Sequence, residues 1–143
     1  MRTTILCAAV VTLGLVVSGA TVSAHHAFSS EFDANRHVVF TGTVSKMMRV
    51  NPHAWIYVDV KKADGTTEEW MVEAGTPNTL LRRGFTKDSL RNGTEVIIEG
   101  YQAKNGAKRL NGRDVMLPDG KRMFLGSSGT GAPNDGRDPG GDK

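Results

Sequence analysis

Apolar and polar residues alternate over several short runs of the chain. In Ala54 to Lys61, "AWIYVDVK", Trp55, Tyr57 and Asp59 fall on one side and Ile56, Val58 and Val60 on the other. That period of two predicts a half-buried strand. Glu68 to Ala74, "EEWMVEA", alternates again, with Trp70 and Val72 facing one way and Met71 and Glu73 the other. His37 to Met48, "HVVFTGTVSKMM", is rich in β-branched residues and contains Gly42, which predicts a strand with a bulge or tight bend. Asp64-Gly65 between the second and third runs is a hairpin-turn signal.

The period then changes. Thr76 to Gly84, "TPNTLLRRG", opens with an N-cap residue and a proline, carries a Leu pair and stops on glycine. This predicts a short helix. "TKDSLRNG", ending on Gly93, predicts a second helical turn. Thr94 to Lys104 predicts a strand, and Asn105-Gly106 a turn. "RLNGRDVML" predicts a strand up to Leu117, Asp119-Gly120 another turn, and "KRMFL" a strand pairing back. The expected fold class is mostly β: a small OB-like Greek-key barrel of five or six strands, with one short helix between strands 3 and 4. A generic small β-sandwich is the alternative.

The ends of the chain read differently. Arg2, an apolar run from Ile5 to Val17 and the small residues Ser18 to Ala24 have the order of a secretory signal peptide. The apolar run is shorter than the ~20 residues a spanning helix needs. Cleavage after Ala24 is expected to leave a mature chain that starts at His25, periplasmic or secreted, with no membrane segment. The only cysteine, Cys7, lies inside the leader, so the mature chain has no thiol and no disulfide. Residues 25–35 read as an N-terminal arm and 36–125 as the barrel domain. Residues 126–143, "GSSGTGAPNDGRDPGGDK", hold almost nothing apolar and are expected to be a disordered tail. The chain has 18 Lys and Arg against 15 Asp and Glu, and Arg2 falls in the leader. The mature charge of +2 is too even to argue for nucleic acid. The clusters Arg82-Arg83 and Lys108-Arg109 read as a solvated face.

"HHAFSSEFD", "TGTV", "NPHAWIYVDV", "W-x-V-E", "PNTLLRRGF", "EGYQAKNG" and "LPDGKRMF" occur here in one order. Together they resemble a family of small exported bacterial proteins, the domain of unknown function numbered 6152. The resemblance runs from about His25 to Gly126. It implies an exported protein with a small β-barrel and brings no activity with it. Phe85 stands where the pattern has Trp after "RRG".

The sharpest chemistry is metal binding. The chain's four histidines are His25, His26, His37 and His53. An N-terminal histidine offers its amine and its ring nitrogen in one chelate. A further histidine would complete a three-nitrogen site suited to copper(II), which prefers nitrogen-rich tetragonal ligands. His53, following Asn51-Pro52, is the candidate third ligand. His26 is the local substitute, and Met47 and Met48 are soft donors for Cu(I). The plainer reading makes His25-His26 a polar chain end and lets Phe28 and Phe32 cover the open mouth of the barrel. His53 then bonds a backbone carbonyl.

A ligand-binding face is the other candidate, built from Trp55, Tyr57, Trp70, Glu73, Arg82 and Arg83. Its ligand would be a small molecule, a glycan or an exported protein. Glu73 is expected to pair with Arg82 or Arg83 in a buried ion pair. No nucleophile–base pair, phosphate loop or nucleotide fingerprint is visible, so nothing in the sequence argues for catalysis. The expected function is an exported small binding protein holding copper or another transition metal through its N-terminal histidine. The alternative is a structural or ligand-binding barrel without metal.

Overall fold

The computed structural model describes residues 26–126, 131–133 and 135–137. The expected signal peptide, 1–24, and His25 lie outside the described residues, as does the side chain of His26. The elements are α1 (His26–Glu31), β1 (Phe32–Arg49), β2 (Ala54–Lys61), β3 (Thr67–Glu73), α2 (Pro77–Arg82), β4 (Glu95–Ala103), β5 (Arg109–Met116) and β6 (Arg122–Phe124). Among the described residues, no helix is long and apolar enough to cross a membrane.

The strands form one sheet in the order β3-β2-β1-β4-β5-β6, and β3 also pairs with β5. That last pairing is parallel and joins Met71 to Arg109, Val72 to Leu110 and Glu73 to Asn111. It closes the sheet into a ring, so the protein is a small β-barrel with a helix between β3 and β4. Closure pairs part of the β3 edge that an isolated sheet would expose.

β1 is long because it serves two partners. Its first part pairs with β4 up to Thr43↔Glu95, and its second pairs with β2 from Thr43↔Asp59 onward. The irregularity expected near Gly42 falls between Val44 and Lys46. Gly42 has a different duty. A Cβ there would stand 2.5 Å from Val58 Cγ1 and 2.7 Å from the Asp59 carbonyl oxygen, so only glycine lets β1 cross β2 so closely.

The alternation places the core as the pattern predicts. Ile56, Val58, Val72, Ile98, Leu110 and Val115 point inward and are fully buried. α2, with Thr76 capping Thr79 N, brings Leu80 onto them, and Phe85 follows. The second helical turn is not formed at 86–90. The chain makes a single hydrogen-bonded turn there, with the Ser89 amide donating to the Thr86 carbonyl (3.3 Å), the Thr86 amide to Ser89 Oγ (2.9 Å) and the Asp88 amide to Thr86 Oγ1 (3.2 Å).

The arm does not stay separate from the barrel. Residues 26–31 are helical, and β1 begins at Phe32. Phe28 and Phe32 pack with Tyr101 and Ala103 into a second apolar cluster on the outside of β4. Phe28 meets Phe32 at 5.8 Å between centroids and Tyr101 edge-on at 5.5 Å. These aromatics therefore cover an outer face of the barrel rather than its mouth. In the stretch expected to be disordered, residues 131–133 and 135–137 also lie against the barrel. Ala132 touches the second cluster, and Pro133, Asp135 and Arg137 bond charged side chains of β4 and β5. The tail's few apolar residues hid this attachment, because charge pairing carries it.

Candidate functional site

The outer face of β2, β3 and β5 holds a pocket of about 320 Å³. Strand register explains its lining. Trp55 lies opposite Glu73, and Glu73 opposite Asn111. Arg109 stands two residues before Asn111, on the same face. Their neighbours Ile56, Val72 and Leu110 fill the barrel interior. α1 adds Phe28 and Glu31, β1 adds Phe32, and the loop before β2 adds Pro52 and His53.

His53 is held by the closure of β2 on the end of β3. The Ala54 amide donates to the Gly75 carbonyl (3.1 Å), and the Ala74 amide donates to the Ala54 carbonyl (2.8 Å). This brings His53 Nδ1 to 3.3 Å from the Ala74 carbonyl oxygen and 3.3 Å from Glu73 Oε1. A carbonyl oxygen only accepts, so Nδ1 carries the hydrogen in the neutral ring, and Nε2 is left with its lone pair. Burial raises the Glu73 carboxyl above its ordinary value, and a proton added to His53 would pull it the other way.

Arg109 supplies the pocket's fixed positive charge. It pairs with Glu31 of α1. Its guanidinium also lies over the rings of Phe32 (5.1 Å) and Trp55 (5.9 Å). Lys104 Nζ donates to the Ser29 carbonyl. α1 is thus clipped to the barrel by two cations as well as by its phenylalanines. Chemically, the pocket offers one imidazole, two carboxylates and one guanidinium beside an indole.

The sequence-expected residues divide between different places. Trp55, Glu73 and His53 meet in the pocket. Tyr57 lies on the same outer face, under Lys46 Nζ at 5.5 Å, but does not line the pocket. Trp70 turns to the opposite face. It pairs across from Val58 and packs on Phe40 at 5.1 Å, so it lies on the core side, away from the pocket. Arg82 donates to Thr79 Oγ1, and Arg83 donates to the Gly126 carbonyl and lies over the Phe124 ring at 4.6 Å. The charge partner shown for Glu73 is His53, not either arginine, because the last turn of α2 is directed at the chain after β6. His37 bonds Glu99 (3.0 Å), outside the pocket. Among the described residues, no group of three or more His, Cys, Asp or Glu is placed to share a metal ion. His53 and Glu73 form a pair.

Arg109, Asn111, Glu31 and Phe28 are site residues that sequence reasoning missed. Arg109 reads in sequence as half of a solvated basic pair. Only Lys108 fits that description, pairing with Glu68 at 3.0 Å. The available signal was alternation in "RLNGRDVM", which puts Arg109 and Asn111 on the face opposite Leu110. What alternation lacks is the parallel β3–β5 pairing that sets that face beside Glu73.

Comparison with curated proteins and with solved structures gives no match. The Family of unknown function DUF6152 matches residues 12–112, which span α1 and the barrel as far as β5. The quoted motifs around His26, His53, Trp55, Glu73 and Arg83 all fall inside that span, and the chain belongs to the DUF6152 family.

Proposed function

We propose that this is an exported small binding protein that holds a copper ion at its mature N-terminus. Cleavage after Ala24 would free the amine of His25. That amine and the His25 ring would supply two nitrogens, and His53 Nε2 the third. The observation that carries the reading is the state of His53. Its Nδ1 is engaged by the Ala74 carbonyl beside Glu73. Metal-ligating histidines are commonly oriented in this way, with the second nitrogen donating to a carbonyl or carboxylate. A second fact supports it. α1, which begins one residue after His25, lines the same pocket as His53 through Phe28 and Glu31. Three nitrogens in a T suit copper(II), and no thiolate is needed.

The test uses untagged protein beginning at His25, titrated with copper(II) and followed by electron paramagnetic resonance. One tight equivalent with nitrogen hyperfine structure is expected. It should be lost in His25→Ala and weakened at least about tenfold in His53→Ala, the usual scale for losing one ligand or its support. Affinity no tighter than that of a free His-His peptide, unchanged in His53→Ala, would reject the site. It would leave the alternative, a structural or ligand-binding barrel without metal.

A further inference from the structure

β5 carries a bulge opposite β4. Gly112 pairs with Gly100 and Asp114 with Glu99, so Arg113 has no counterpart. Gly112 points inward, since a Cβ there would meet Val72 and Leu125, and Val115 is also inward and fully buried. Plain alternation allows one outward residue between them, whereas the bulge gives two, Arg113 and Asp114. Two neighbouring charges on the outside of a barrel strand should be solvated. Instead their side chains are 4% and 7% exposed.

The chain's own C-terminal segment covers them. Arg113 donates to the Pro133 carbonyl (3.0 Å) and to the Asp135 carboxylate. Arg137 donates to Glu99 Oε1 (2.8 Å) and to Asp135 Oδ2, and stands 3.7 Å from Asp114 Oδ2. Ala132 reaches the Phe28–Tyr101 cluster. Arg113 and Asp114 on the barrel thus meet Asp135 and Arg137, the opposite charges, on the segment. The connection from Leu125 reads "GSSGTG".

We propose that the outer face of β4–β5 is a peptide-recognition site for a segment with a carboxylate two residues ahead of a guanidinium, preceded by proline. Ala132, Pro133, Asp135 and Arg137 are its occupants in the chain itself. While they are bound, the site is closed. A peptide of the same charge order from another exported protein enters by displacing them. The copper site plays no part in this inference.

The experiment uses the full mature chain carrying Asp135→Ala and Arg137→Ala, which leaves the barrel residues intact. The probe is a fluorescent synthetic peptide of residues 130–143, followed by anisotropy. Saturable binding to this variant is expected. The unaltered chain should bind at least about tenfold more weakly, because its own tail competes at the high effective concentration of a short tether. A peptide bearing the same two substitutions should not bind, and raising salt should weaken the complex. Arg137→Gln alone, which keeps Asp135 on Arg113, should open the site partly and serves if the double variant folds poorly. Peptide binding to neither chain, or to both equally, would overturn the proposal.

Discussion

At the scale of residues, Glu73 shows how position decides chemistry. In sequence it is a carboxylate on an alternating strand, and its expected partners were arginines of the next helix. In the structure it sits at the end of β3 beside His53, mostly buried, and burial raises its carboxyl above the usual 4.5. The sign of the consequence is fixed by linkage. A carboxyl whose folded value is raised keeps its proton where the unfolded chain has lost it. The stability it contributes is full below the unfolded value and is lost as pH rises through the folded one. Glu73→Gln, which keeps the shape without the charge, should therefore be at least as stable as the wild type at neutral pH. The wild type should recover that difference as pH falls through the carboxylate range. Denaturant titrations of both proteins across pH check this. A variant clearly less stable at neutral pH would mean that attraction to His53 outweighs burial.

At the scale of elements, α1 is the least legible piece and the strands the most. β2 runs over the same residues as its alternation predicts, and Asp64-Gly65, Asn105-Gly106 and Asp119-Gly120 all turn with glycine at positive φ. "HHAFSSEF" has no helical period to detect in so few residues. α1 forms because Phe28 and Phe32 find Tyr101 and because Glu31 finds Arg109, all tertiary partners. A six-residue helix has little stability alone. Phe28→Ala should cost about 3 kcal/mol, the range for removing a buried aromatic ring. It should also increase amide exchange across α1 while leaving the β2–β3 hairpin protected. Hydrogen exchange by mass spectrometry distinguishes this from a general loss of stability. Unchanged exchange in α1 would show that Arg109 and Lys104 hold the helix without the ring.

At the scale of the whole molecule, the ring is closed by the short parallel contact of β3 with β5. Gly112 lies at that contact, where a Cβ would come within 2.7 Å of Val72 Cγ1 and 2.9 Å of the Glu73 carbonyl oxygen. Gly112→Ala should lower stability by about 2 kcal/mol, the scale of overpacking a tight core. Tryptophan fluorescence and far-ultraviolet circular dichroism should still fall in one shared transition. A mutant that keeps the wild-type midpoint would show that the closure tolerates widening.

Local pattern was enough for most of the barrel's strands, their inward residues, the short capped helix and the family, though β1 begins earlier than its pattern shows. Alternation, turn glycines and caps are local signals, readable within a few residues of one another. It also marked His53, Trp55 and Glu73. Alternation also puts Trp70 on the side opposite Glu73, where it packs on Phe40. What surrounds those residues follows from long-range packing. Arg109 and Asn111 reach Glu73 through a pairing between strands distant in the chain. Arg113 and Asp114 share the outer face because of a bulge, and the C-terminal segment binds there through charges its composition presents as solvated. Such contacts depend on register and closure, which no local pattern encodes.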